Sequence, residues 1–204
     1  MPNTAPMKTR QLILMAIMFL SYLLSSPSKS VARAPEQYPY EVLQDLGQFE
    51  LRQYQGAIFA KTHIDAETYR RGSGNGFRTL ASYIFGNNDR RESIAMTAPV
   101  VMGWEDGMVM EFMMPSSFTM ETLPAPGNPR IEIYKKPAVT MAGLSFGGWA
   151  SDRRIAEKIE ELTSLLDAHG IAHTGHFQYF GYNPPYQVSN RRNDIVVEIT
   201  GWKK

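Results

Sequence analysis

The sequence contains no cysteine, which excludes disulfide frameworks, thiolate zinc sites, thiol nucleophiles and lipid attachment through a cysteine. Stability has to come from packing. An excess of charge is missing as well: 21 Lys+Arg stand against 20 Asp+Glu. No overall field gathers phosphates or holds the chain to anionic lipid, so nucleic-acid binding is not expected. There is no H-E-x-x-H. The string G-x-S-x-G does occur, as Gly143-Leu144-Ser145-Phe146-Gly147, but the next helix is expected only from about Asp152 and not directly after the serine as a nucleophile elbow requires, so it does not mark a catalyst. Gly72-Ser73-Gly74-Asn75-Gly76 is glycine-rich, but it lacks the strand and lysine order of a phosphate-binding loop and reads as a flexible turn.

What is present is enough apolar material for one domain. Of 204 residues, 43% are hydrophobic and 12 are Met, which suits a single core and a soft, adaptable lining to any pocket. At the N-terminus Lys8 and Arg10 precede an apolar run over 12–24, followed by Ser25, Ser26, Ser28 and Ser30. That is the layout of a secretory signal, and the run is shorter than the roughly 20 residues of a comfortable membrane-spanning helix. Ala32-Arg33-Ala34 is the best processing site, but Pro35 follows it, so a retained signal anchor with membrane attachment is the alternative to cleavage. The expectation is a signal segment over 1–34 and a folded domain over 38–204. Its location would be periplasmic, or on the extracytoplasmic face of the membrane.

The domain repeats itself. Phe49-Glu50-Leu51 is answered by Ile131-Glu132-Ile133, and Ala57-Ile58-Phe59-Ala60 by Val139-Thr140-Met141-Ala142, both 82 positions apart (131 − 49 and 139 − 57). The same shift takes Phe77, Leu80 and Ile84 onto Ile159, Leu162 and Leu166. Phe77, Leu80, Ala81, Ile84 and Phe85 form a helical stripe. A second helix runs from about Asp152 to His169, with Ser151 as N-cap and Gly170 as stop. Strands over 93–102, 108–114, 177–182 and 195–199 close the halves. The fold class is therefore α+β: a pseudo-twofold repeat giving a twisted antiparallel sheet or open β-barrel flanked by two α-helices. A cleft between repeated halves is a frequent place for a small ligand.

YEVLQDLGQFELRQY from Tyr40, GFRTLASYIFGNN from Gly76, SIAMTAPVVM from Ser93, EFMMPSSF from Glu111 and GYNPPYQVSNRRNDIVVEI from Gly181 together resemble the SOUL haem-binding proteins. SOUL proteins are related in shape to bacterial effector-binding domains. The resemblance implies a non-covalent haem or other flat apolar ligand, set against the first helix and the loop between the last two strands, here 77–85 and 184–193. Phe77, Leu80, Tyr83 and Ile84 would form an apolar wall. Arg78, Arg191 and Arg192 would face the propionates, whose burial without partners is costly. Tyr186 lies in the same loop, and Met96 supplies a thioether. The helix stripe also reads as ordinary core, and the loop arginines as solvated. Some relatives carry a histidine proposed as iron ligand where this chain has Gln53. The ligand would then be held mainly by apolar contact, or by Met96 or a histidine elsewhere. His169, His173 and His176 are separated by Gly170 and Gly175, which spoils a zinc geometry. The alternatives to a haem carrier or store are an effector- or drug-binding domain of the related fold and, behind it, a hydrolase using a buried glutamate such as Glu50, Glu111, Glu132 or Glu198.

Overall fold

A computed structural model describes residues 34–104 and 107–202; all but the last residue of the expected signal segment lies outside them. Among the described residues no helix is long and apolar enough to cross a membrane. The strands in chain order are β1 (Glu36–Gln37), β2 (Tyr40–Asp45), β3 (Glu50–Tyr54), β4 (Ala57–Ile64), β5 (Thr97–Ala98), β6 (Val100–Gly103), β7 (Met108–Met113), β8 (Ile131–Lys136), β9 (Val139–Gly147), β10 (Gln178–Gly181) and β11 (Arg192–Glu198). The helices are α1 (Tyr69–Ile84) and α2 (Asp152–Ala168).

The repeat read from the sequence organises the sheet through an exchange. β3 and β4 are nearly continuous, as are β8 and β9, and each repeat's first strand pairs with the other repeat. Tyr54 faces Val139, and beyond the break Ala57 faces Lys136, so the ladder resumes in unchanged register. The antiparallel sheet runs β2-β3-β9-β11-β10-β6-β7-β4-β8. Its pseudo-twofold axis passes between β6 and β10. β1 stands apart, pairing in parallel with β5 over two residues.

Strand alternation gives the sheet two apolar faces. One, with Met102, Met110, Phe112, Leu144, Ile195 and Val197, is shared with Leu80, Tyr83 and Ile84 of α1 and Ile155, Leu162 and Leu166 of α2. The other carries a smaller cluster that includes Tyr38, Tyr54, Phe59, Val101, Phe180 and Val196. α2 has the expected cap, the Ser151 hydroxyl accepting from the Arg154 N–H at 3.2 Å, and Gly170 at φ +64° follows its end.

Three sequence readings change. The glycine run 72–76 is not a turn but lies inside α1. A Cβ on Gly76 would stand 2.5 Å from Ile64 Cδ1, and one on Gly72 would meet the Met108 sulfur. The glycines let the helix backbone approach the sheet, and this contact overrides their poor helix propensity. The strand read over 93–102 is shorter and broken, Thr97–Ala98 and Val100–Gly103, around a cis Ala98–Pro99 bond, because proline has no N–H to give to a ladder. β2 was not anticipated. It is an edge strand paired only with β3, mostly exposed, and so lacks a clear apolar alternation.

Gly76→Ala is expected to destabilise the protein by about 1–3 kcal/mol through overpacking. Gly74→Ala, whose Cβ meets nothing within 4 Å, should gain roughly 1 kcal/mol from helix propensity. Urea unfolding of the two variants checks this, and equal shifts of one sign would refute the close-approach explanation.

Candidate ligand-binding site

Register places α1 and the β10–β11 loop at one end of the sheet. Phe112, Val100, Gly181, Asn193 and Phe146 form one row across β7, β6, β10, β11 and β9. The Phe77 ring lies 5.4 Å from that of Phe112, and the 182–191 loop leaves the same row at Gly181. Helix and loop are therefore separated by two strand spacings, about 10 Å, with half-buried Val100 of β6 between them. At the N-terminal end of α1 the Tyr69 ring meets Tyr179 at 5.3 Å, and the Tyr179 hydroxyl donates to Asn193 Oδ1 at 2.7 Å.

The loop is held in shape from inside. The Arg191 guanidinium donates to the carbonyls of Pro184 (2.9 Å), Gln187 (2.6 Å) and Asn183 (3.3 Å) and stacks 4.1 Å over the Trp149 ring. Asn183 Oδ1 accepts from the Arg192 N–H at 2.6 Å. Large apolar groups are left facing water: Phe77 at 37% exposure, Trp149 at 52%, Val188 at 75% and Tyr186 at 85%.

The residues expected from the sequence divide between this surface and its support. Phe77 and Arg78 are exposed on α1, with Arg78 donating to Asn75 Oδ1. Leu80, Tyr83 and Ile84 lie beneath in the core, at most 1% exposed, and the Tyr83 hydroxyl donates to the Pro124 carbonyl at 2.9 Å. Met96 is half-buried against the same core. Arg191 is committed to its loop. Arg192 is bound to Asp194 at 2.8 Å and to the Tyr40 hydroxyl at 2.9 Å. Gln53 accepts from the Thr140 hydroxyl at 2.8 Å. Among the described residues no group of three or more Asp, Glu or His is placed to hold a metal ion.

Of the glutamates named from the sequence, Glu111 is buried, but sequence reasoning missed Asp194 and the rest of the polar machinery of the opposite face. Glu111, Val101, Phe180 and Asp194 form one row across β7, β6, β10 and β11, which places two buried carboxylates symmetrically about the repeat axis. Asp194, fully buried, accepts from Arg52 (2.7 Å), Ser145 (2.8 Å) and Tyr182 (3.0 Å). Glu111 accepts from Tyr134 (2.6 Å) and Lys136 (2.7 Å). Arg52 and Tyr134 are 82 positions apart, as are Tyr54 and Lys136 (134 − 52 and 136 − 54). Each carboxylate thus receives a cation from the first strand of a repeat, with the cation and tyrosine positions swapped: Arg52 reaches Asp194 and also donates to Tyr54, while Lys136 and Tyr134 both reach Glu111. Burial pushes the Tyr54 phenol up to about 12, so it stays a neutral donor or acceptor beside Arg52. Gly143 keeps β9 bare where a Cβ would stand 2.7 Å from the guanidinium. The signal was in the repeat offset, which matches Arg-x-Tyr at 52–54 with Tyr-Lys-Lys at 134–136.

Two interlocked repeats, with their buried charges satisfied internally and a preformed apolar surface at one end, define a small-molecule-binding module. The chain belongs to the SOUL heme-binding protein family, whose model matches residues 35–198. The family is one of binding proteins rather than enzymes. The chain is similar to Heme-binding protein 1 of Xenopus laevis, 26% identical over 155 residues covering 72% of this chain and 81% of the relative. It is also similar to human Heme-binding protein 2, 28% identical over 158 residues, 73% and 77% of the two chains. In fold it matches the EcmrR C-terminal domain with a TM-score of 0.58 at 13% identity, over 76% of this chain and 98% of that one.

The Arg52–Asp194 pair should behave as a coupled unit. Arg52→Met alone is expected to cost about 3–5 kcal/mol, because it strips a buried carboxylate of a partner, and Arg52→Met with Asp194→Leu should recover a large part. A double-mutant cycle by denaturant unfolding measures this, and additive losses would contradict the coupling.

Proposed function

We propose that the protein binds haem or another tetrapyrrole non-covalently on the surface between α1 and the β10–β11 loop, for transport, buffering or sequestration in the cell envelope. The supporting observation is the preformed apolar end of the sheet in a chain of a haem-binding family. Phe77, Val100 and Val188 offer flat apolar contact over a width that suits a planar macrocycle, and Tyr186, exposed in the same loop, is the ring that would cover it. Leu80, Tyr83 and Ile84 act by backing the helix. Arg78, exposed on α1 next to Phe77, is the cation for a propionate, while Arg191 and Arg192 act by fixing the loop. Met96 is the thioether of the family-like SIAMTAPV stretch, half-buried against the core that backs α1. The surface is open, so apolar contact dominates and haem supplies a large planar apolar area. Export rests on the basic-apolar-small order of the N-terminal sequence.

Haem titration followed by Soret absorbance and Trp quenching tests the site. Wild type should saturate at one equivalent. Phe77→Glu and Val188→Glu, both at exposed positions, should each weaken binding at least roughly tenfold, a change of about 1.4 kcal/mol, with unchanged unfolding midpoints. Equal affinity in all three proteins would exclude this surface.

A further inference from the structure

The face opposite the helices holds a segment that belongs to neither repeat. The strap made by β1 and the residues after it inserts the Tyr38 ring among residues of both halves, 4.8 Å from Tyr54, 5.1 Å from Phe59 and 6.4 Å from Phe180. The ring is 2% exposed, yet its hydroxyl has no hydrogen-bond partner. A position shaped only for packing would favour Phe, since a buried hydroxyl left unpaired is unfavourable. Beyond the two-residue pairing of β1 with β5, the attachments of the strap are few. Glu36 accepts from the Ser116 N–H at 3.1 and 3.2 Å in an exposed contact. The Tyr38 N–H donates to the Ala98 carbonyl at 2.8 Å, and the Pro39 carbonyl accepts from Gln55 at 3.0 Å.

Beside the strap lies a groove of about 370 Å³, bordered by Glu36 and Pro39, lined by Ile58, Met113, Met114, Phe118 and Met120, and flanked by one charge of each sign, Glu121 and Lys135. Met113 also belongs to the cluster that holds Tyr38, so the groove and the tyrosine seat adjoin. Methionine linings adapt to guest shape, and this volume lies at the small end of ligand pockets. The two carboxylates of this face already have cations, Arg52 and Arg192 on Asp194 and Lys136 on Glu111. The seat therefore offers no unbalanced charge, and its present occupant is a neutral phenol.

We propose that this groove is a second ligand site, distinct from the α1 surface, which takes small neutral aromatic molecules when the strap withdraws Tyr38 from the seat. The guest ring replaces the tyrosine ring between Tyr54, Phe59 and Phe180, and its remainder lies along the methionine-lined groove. The strap is the competitor, so loosening it strengthens binding.

The full chain is titrated with 2-naphthol by fluorescence, and exchange of the Tyr38 amide is followed by hydrogen–deuterium exchange. Saturation at one equivalent is expected, with faster Tyr38 exchange in the complex. Glu36→Ala should tighten binding by roughly three- to tenfold, through loss of a charge-assisted contact of the closed strap. Met120→Asp, at a 43% exposed lining position, should weaken it at least roughly tenfold while leaving haem affinity at the wild-type value. The proposal is overturned by any of three results: no saturation in wild type and Glu36→Ala, equal binding by Met120→Asp, or Tyr38 exchange that is unchanged or slower in the complex.

Discussion

The buried contact between Arg52 and Asp194 ties the first strand of one repeat to the last strand of the other, and much of the architecture is arranged around it. Two charges taken out of water are stable only if every remaining donor and acceptor is satisfied. Ser145, Tyr182, Tyr54 and Glu50 all serve that end. Gly143 is bare because the guanidinium lies over β9. The exchange of β3 and β8 between repeats follows the same logic. Arg52 reaches Asp194 from β3, which pairs with β9, and Tyr134 and Lys136 reach Glu111 from β8, which pairs with β4. A chain whose first strands stayed in their own halves would leave these carboxylates differently partnered.

That arrangement separates the two faces of the sheet by task. The face with the ion pairs closes the repeats on each other and is sealed by the strap. The helical face buries the larger apolar cluster and leaves α1 and the β10–β11 loop as the border of an open surface. Arg191 is the counterpart of Arg52 on this side. It spends its guanidinium on backbone carbonyls and on Trp149, which gives a loop rich in proline, asparagine and serine a fixed shape. A preformed loop loses less conformational entropy when a ligand arrives.

Much of the fold was legible because the repeat is written twice. The offset of 82 positions joined strands and helices that no local pattern would have paired, and α2 was readable to its cap because Ser151 and Gly170 are strong local signals. α1 was half hidden, since Gly72 and Gly76 are there for a tertiary contact that sequence periodicity does not report. The candidate site was legible in part. Phe77 and Arg78 stand on the surface, but the stripe of Leu80, Tyr83 and Ile84 faces the sheet, because a helix that packs on a sheet spends its most regular apolar positions there. Asp194 and Arg52 escaped notice because burial of a charge depends on partners that are distant in the chain, here 142 positions apart. Tyr38 looked like the start of the domain and proved to be part of its core.

The most direct measurement is an amide and methyl chemical-shift map of the isotopically labelled protein titrated with diamagnetic zinc protoporphyrin. The expected perturbations centre on Phe77, Val100, Trp149 and Val188, with Tyr54, Phe59 and Phe180 on the other face unmoved. Shifts concentrated around Tyr54, Phe59 and Phe180 instead would put the tetrapyrrole between the repeats and contradict the division of the two faces.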